Sequence, residues 1–501
     1  MNDLKSLVKS LDFRLVFVIA FALTLLVVAI LHPYLYIFHA WRQGDVAAVA
    51  RNFYTESMNI FYPRIDSRGS LTGINGMELP LYNYILAIIY TALHSTWLGF
   101  GKILSFAFGA LSINYLYKIA AIDYKCKESL QLFLLIFISF TTPFFFFIAT
   151  SVMPESLALS LALASFYYFY SAVFKKTSHI NKSYVSKILL ASICLAIAAM
   201  VRPYYIFFGL PYVLAFFIYL RCKPKLSVFV AIMGLLVLAP FFYWYKVWVP
   251  YLNDTYTTQV YFYMGSNLSH NLHNLLHSYA VLVTTLSSRF LLAYVYLPVL
   301  IYGAYVYFRR SKLLASLLSP LGMLIMIAIL SGIVLPFIIA DHYDPHFYFL
   351  GAMFPAIGLL VTVGISKIYN YGQHSDKKII LKIIYVFLVL TMLVVVYTKF
   401  LKLSPSARNA RLLQQNKSEI FKGVPAGDLI VVADQGRSFI YYTGHKGWMI
   451  PYNYSYSPNY KKDEDIFASN LTKYKNLGAR YVLFLPTWNG RKQGEYRLIK
   501  L

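Results

Sequence analysis

Long stretches of the chain run without a charge, among them Leu15–Leu31, Leu130–Pro154, Leu226–Tyr245, Leu313–Ala340 and Ile383–Thr398. About 20 apolar residues in a helix cross the hydrocarbon core of a bilayer. Backbone groups in lipid find no water, so each stretch must satisfy its own hydrogen bonds and is predicted to be helical. Only 13% of the 501 residues are charged, against roughly 25% in soluble domains. The first block is followed by His32-Pro33-Tyr34-Leu35-Tyr36 rather than by a small-residue cleavage site, so it is read as a retained span.

Spans are expected near 13–32, 102–121, 130–150, 156–174, 186–201, 203–220, 226–244, 285–307, 313–339, 346–366 and 379–398. The fold class is thus a polytopic α-helical membrane protein of about eleven spans, with room for up to thirteen. The net charge of +25 does not point to nucleic acid. Much of it lies in short loops at Lys125 and Lys127, Lys175 and Lys176, Arg221 to Lys225, Arg309 to Lys312, and Lys377 and Lys378. Every second loop is basic, which places the N-terminus in the cytoplasm and the C-terminus outside. The implied location is a bacterial inner (plasma) membrane. Leu81–Phe100 would break this alternation as a full span, so it is read as an interfacial helix on the outer face; a twelfth span is the alternative. Cys126, Cys194 and Cys222 fit neither a metal motif nor a disulfide framework.

Residues 1–400 form the membrane region, with a first outer loop over 33–101 that carries interfacial helices. Residues 401–501 change character. Strand-like runs at Leu429–Ala433 and Arg480–Leu485, with a helix opening between Gly436 and Tyr442, predict a small soluble C-terminal α/β domain.

Ionisable residues at a membrane are functional candidates because burying them is costly. The first outer loop is densest in them. His39-Ala40-Trp41-Arg42-Gln43-Gly44-Asp45 leads into a short amphipathic helix over Asp45–Phe53. Asp45 at its start is a functional carboxylate stabilised by the helix dipole, or a simple N-cap. Glu78 sits where the chain enters the interfacial helix, in Glu78-Leu79-Pro80-Leu81-Tyr82. Glu155, after Pro154, lies between two apolar spans and either caps the next helix or faces a site. Arg202-Pro203 breaks another apolar run; the arginine either reaches lipid headgroups or holds a substrate phosphate. Asp341-His342-Tyr343-Asp344-Pro345-His346-Phe347-Tyr348 is a turn that suits a metal, a sugar or a plain polar hairpin.

Taken in order, these motifs resemble the GT-C superfamily of membrane glycosyltransferases, in the branch of the protein O-mannosyltransferases and the lipid A aminoarabinose transferase. The resemblance covers roughly residues 10 to 400. It rests on Trp41–Asp45, Glu78–Tyr82, Pro154-Glu155, Arg202-Pro203 and His346–Tyr348. Glu155 departs from the pattern, since many members carry aspartate there. The resemblance implies an inverting transfer of a sugar from a polyprenyl-phosphate carrier to a lipid, glycan or protein acceptor on the outer face. It implies Asp45 as the base and Arg202 as first phosphate ligand, with Arg42 and Arg289 behind it. Glu78, Tyr82, Glu155, His342, His346 and Tyr348 would bind or orient substrate. Resemblance to the aminoarabinose transferase also implies a divalent metal ion held by Glu78 and a histidine that the sequence does not single out. A polysaccharide polymerase and a lipid or solute transporter or flippase are the rival classes. No internal repeat of the transporter kind is visible.

Overall fold

A computed structural model of the chain describes residues 13–32, 35, 39–66, 72–123, 128–174, 182–256, 275–286, 293–309, 313–339, 347–373, 390, 405–433, 439–450, 460–484, 488–489, 492–493 and 496–501. Among these, eight helices are long and apolar enough to cross a membrane, or nine if a bent pair counts as one span. The predicted span at 379–398 lies outside the described residues apart from Leu390.

The bundle opens with α1 (Phe13–Leu31), followed by α2 (Ala40–Thr55) and α3 (Leu81–Leu93). The 13 residues of α3 reach about 20 Å, short of the roughly 30 Å core. Asn83 on α3 donates to the Val46 carbonyl of α2 at 2.8 Å, so the two short helices pack as a pair. The chain then enters α4 (Leu98–Asp123). Lys102 on α4 is buried and donates to the carbonyls of Ala29 at 2.7 Å and His32 at 2.6 Å, serving acceptors at the end of α1.

The single span expected over 130–150 is instead two helices, α5 (Glu128–Thr141) and α6 (Pro143–Thr150), bent by 84°. The cause is Thr142-Pro143. A residue before proline is pushed out of the α region, and Thr142 is extended at φ −84° and ψ 127°. The threonine hydroxyls take over carbonyls at the break: Thr141 donates to Phe137 and Thr142 to Ser139, each at 2.7 Å. All of α6 is buried, and it leads directly into α7 (Glu155–Val173).

A second proline ends α8 (Lys182–Val201) at Arg202, which is extended at φ −145°. A 3-10 turn over Pro203–Gly209 then leads into α9 (Leu210–Cys222). Next come α10 (Pro224–Tyr243), a π-helical turn over Trp244–Trp248 and α11 (Val249–Tyr256). The span expected at 285–307 is not a single helix from 285. The structure has α12 (Leu275–Thr285) and α13 (Ala293–Phe308), the latter of 16 residues with Pro298 inside. The run expected at 313–339 is divided at Pro320 into α14 (Leu313–Leu317) and α15 (Pro320–Ile339). A 3-10 turn over Phe347–Met353 precedes α16 (Phe354–Gln373).

The C-terminal part begins with α17 (Pro405–Ile420) and then alternates: β1 (Leu429–Ala433), α18 (Phe439–Thr443), β2 (Lys446–Ile450), α19 (Tyr460–Asn476) and β3 (Ala479–Phe484). A small hairpin pairs β4 (Trp488–Asn489) with β5 (Lys492–Gln493), and β6 (Arg497–Lys500) closes the main sheet. The sheet order is β2-β1-β3-β6, with β6 antiparallel to β3 and the other pairs parallel. The two strands expected from sequence are the central pair. Gly447 is at φ +152°, and a Cβ there would lie 1.8 Å from the Ile430 carbonyl oxygen, so β2 can approach β1 only with glycine.

This sheet region is tied to the loop after α1. Arg51 pairs with Asp66, lies 5.0 Å over the Tyr441 ring and donates to the Tyr441 carbonyl at 3.3 Å. Gly447 N–H donates to the Asp66 carbonyl at 3.0 Å, and Lys446 pairs with Glu56. Leu35 N–H donates to the Tyr442 hydroxyl at 2.8 Å.

Near these ties, His445 is buried, its ring 4.7 Å from that of Phe421 and its Nδ1 3.3 Å from the Asp428 carbonyl. Burial, with Lys417 adding to it, holds its pKa below the ordinary 6.5. The unfolded chain therefore takes up the proton first as pH falls, and the contribution to stability is lost below about pH 6.5. Limited proteolysis of the C-terminal region should speed up from pH 7 to pH 5 in wild type. His445→Gln should flatten that dependence.

Candidate active site

The helix that carries the first candidates starts earlier than the sequence indicated. It begins at Ala40, with His39 before it in the left-handed region at φ 50°. Asp45 therefore lies in the second turn of α2, not at its start, and is no N-cap. The helix dipole acts within the first turn, so it is not what favours the Asp45 carboxylate. Arg42, one turn back, does that. Burial and nearby Arg202 pull the Arg42 guanidinium below its ordinary range, with Asp45 and Glu155 among the groups opposing that shift.

Four parts of the chain converge on one charge cluster. Arg42 comes from α2, Glu78 from the segment before α3, and Arg202 from the proline break after α8. Glu78 Oε1 pairs with both Arg42 and Arg202. Arg202 pairs on its other side with Glu155, the first residue of α7, at 2.5 Å. The Arg202 and Glu155 side chains are 5% and 0% exposed, whereas that of Arg42 is 12% exposed. These four groups form a neutral set: two guanidinium groups against two carboxylates. Asp45, half-buried, adds one further negative charge at its more open edge.

Aromatic side chains wall the cluster. The Tyr348 ring lies 5.5 Å from the Arg202 guanidinium carbon and 4.8 Å from the His39 ring. Tyr204 and Tyr205 follow from the same proline break, their rings 4.8 Å apart. Among the described residues, their hydroxyls are buried without a hydrogen-bond partner, as are those of Ser151 and Ser156, Glu155 Oε2 and Arg202 Nε. A buried polar atom left unsatisfied costs about 1–3 kcal/mol. This group therefore has hydrogen-bonding capacity to offer a polar ligand beyond the ion pairs.

The structure brings together Arg42, Asp45, Glu78, Glu155, Arg202 and Tyr348. Tyr82 is different. It is fully buried, and its hydroxyl meets the Gly101 carbonyl at 2.7 Å and Ser105 Oγ at 2.8 Å, so it joins α3 to α4. Arg289, His342 and His346 lie outside the described residues. Sequence reasoning missed Tyr204, Tyr205, Ser151 and Ser156. The only signal for them was their adjacency to Arg202 and Glu155.

Glu78, expected as a metal ligand, is held by ion pairs in this structure. The Glu78 carboxylate oxygen that faces the cluster is taken by two arginines, whose charge opposes a cation. Among the described residues, no group of three His, Cys, Asp or Glu side chains is placed to hold a metal ion.

The architecture is similar to that of several solved structures. ArnT from Cupriavidus metallidurans bound to undecaprenyl phosphate superposes with a TM-score of 0.59 at 11% identity, covering 97% of each chain. Its apo form gives 0.51 at 14% identity over the same share. AglB, the oligosaccharyltransferase of Archaeoglobus fulgidus, in complex with an inhibitory peptide and a dolichol-phosphate, gives 0.50 at 12% identity, covering 93% of this chain and 69% of that one. Another structure of the A. fulgidus enzyme, a complex with Zn and sulfate, also gives 0.50, at 12% identity and covering 94% of this chain and 67% of that one. No protein-family model matches the sequence, and no curated protein does. The chain is a polytopic membrane protein with the fold of these structures. The likeness to ArnT runs the length of both chains.

Removing one partner of a buried ion network leaves an uncompensated charge and typically costs about 3–5 kcal/mol. Arg202→Met should lower thermal stability in detergent by roughly that amount. Adding Glu155→Gln to it should recover part of the loss, because the stranded carboxylate is removed.

Proposed function

We propose that the protein is an inverting glycosyltransferase that moves a sugar from a polyprenyl-phosphate carrier to a lipid, glycan or protein acceptor on the outer face of the membrane. The observation that carries this reading is the graded charge cluster. A fully buried, compensated base of Glu78, Arg202 and Glu155 supports a more open pair, Arg42 and Asp45. The solved structures with this fold were captured with undecaprenyl phosphate in ArnT and dolichol-phosphate in AglB.

The roles follow from this grading. Arg202 has a carboxylate on each side, so its charge is already spent on the protein. Arg42 shares one carboxylate and is partly open, which makes it the better ligand for the carrier phosphate. This reverses the order expected from the sequence. Asp45, near Arg42, acts as the general base. The acceptor hydroxyl or amine attacks the anomeric carbon from the face opposite the phosphate. The bond from that carbon to the phosphate oxygen breaks, the acceptor proton passes to the Asp45 carboxylate, and polyprenyl phosphate leaves. Fixed positive charge at the leaving oxygen stabilises the charge that develops there. Tyr348 and the Tyr204–Tyr205 pair wall the sugar site.

Two further points support the placement. The alternation of basic loops puts the loop carrying Asp45 and Glu78, together with the C-terminal sheet region, outside the cytoplasm. The clustered charges sit at helix ends, whereas transporters bind substrate and ions near the bilayer midplane.

A transfer assay in liposomes with radiolabelled polyprenyl-phosphate sugars and a crude membrane acceptor tests the reading. Wild type should move label, and folded Asp45→Asn should lose about 10²–10⁴-fold in rate, the usual contribution of a general base. A wild type that moves label from none of several donors would overturn the transferase reading. A fully active Asp45→Asn would overturn only the assignment of the base.

A further inference from the structure

The helix running from Pro224 to Tyr256 carries a feature that the transfer chemistry does not use directly, the π turn at Trp244–Trp248. Pro240 lies inside the helix and has no N–H to donate, and the Trp244 N–H is shared between the carbonyls of Pro240 and Phe241. π turns are rare and are found mostly at functional sites, since the wider turn re-aims side chains.

Here the turn aims two buried side chains at the segment before Glu78 and at the last turn of α8. Trp244 Nε1 donates to the Met77 carbonyl at 2.9 Å, and the Tyr245 hydroxyl donates to the Met200 carbonyl at 2.7 Å. Met77 immediately precedes Glu78, and Met200 lies two residues before Arg202. The two segments also meet directly, with Leu79 N–H donating to the Met200 carbonyl at 3.0 Å. One turn further on, Asn253 accepts from Gly76 N–H at 2.8 Å. The approach there is close: a Cβ on Gly76 would lie 2.4 Å from the Val249 carbonyl oxygen.

We propose that Trp244 and Tyr245 are positioning residues, which hold the Glu78 and Arg202 backbones in register so that the shared carboxylate keeps Arg42 in place beside Asp45. The Glu78–Arg202 pair crosses between two loops that lie far apart in sequence. A buried ion pair helps only when its geometry is held, and a shift of about 1 Å far from the reacting atoms can cost roughly 100-fold in rate. The proposal rests on the transferase reading above.

Tyr245→Phe removes one oxygen and keeps the ring; Trp244→Phe removes the Nε1 donor. In the full-length protein, either change should lower kcat for sugar transfer by about tenfold and leave the donor KM within about twofold, as for an interaction expressed in the transition state. Val247→Ala, on the exposed side of the same turn, should behave as wild type. Arg202→Lys should be strongly impaired, and adding Tyr245→Phe to it should cost little more, because residues that act through one another are not additive. Wild-type kcat in both Tyr245→Phe and Trp244→Phe would overturn the inference. So would a loss that multiplies in full with that of Arg202→Lys, or failure of both single variants to fold, since either would assign a general structural role. Absence of transfer by wild type would remove the transferase reading, and this inference with it; an active wild type with unaltered variants removes this inference alone.

Discussion

The rest of the site depends on a buried guanidinium held between two carboxylates. Arg202 has Glu78 on one side and Glu155 on the other, and none of the three is more than 5% exposed. Isolated charges of this kind would each cost several kcal/mol to bury. Together they compensate one another, and they bring three distant parts of the chain to one point. Glu78 then reaches Arg42, so the compensated base extends to the open edge where Asp45 lies.

Prolines make that convergence possible. Pro203 ends α8 and leaves Arg202 extended at the break. Pro143 bends α5 against α6, so that the buried Phe-rich turn delivers the chain to Pro154 and Glu155. Phe144 and Phe145 pack on Phe354 at 5.5 and 5.1 Å, which ties this elbow to α16 beyond Tyr348. Pro240 stands at the base of the π turn behind Glu78 and Arg202. In each case a proline ends, bends or lies within a helix, and a side chain of the cluster or its support follows nearby in the chain. The C-terminal sheet region adds a further constraint by gripping Arg51 and Asp66, and so fixes the helix that carries Arg42 and Asp45.

Much of this was legible in the sequence, for physical reasons. Long uncharged runs have one outcome in a membrane, and most of the expected spans in the described residues appear as helices. Arg42, Glu78, Glu155 and Arg202 stood out because ionisable groups beside apolar runs are costly. Their pairing was not legible, because sequence spacing says nothing about contacts between segments tens of residues or more apart. Asp45 was placed at a helix start because the apolar pattern begins there; the helix in fact takes in the polar Arg42-Gln43 turn before it. Thr142-Pro143 was passed over because the whole stretch is uncharged and reads as one span. Tyrosine carried little information, since the chain has 45 of them. Tyr82 was therefore grouped with the site, whereas Tyr204, Tyr205 and Tyr245 were not.

The central claim is that this cluster is built around the phosphate of a polyprenyl carrier, with Arg42 as the residue that meets it. The most direct measurement is native mass spectrometry of the detergent-released protein with undecaprenyl phosphate and, separately, with uncharged undecaprenol. Wild type should retain the phosphate form in clear preference to the alcohol, and folded Arg42→Gln should lose that preference while keeping whatever affinity the lipid tail supplies. Equal retention of the two lipids by wild type, or a preference unchanged in Arg42→Gln, would contradict the account.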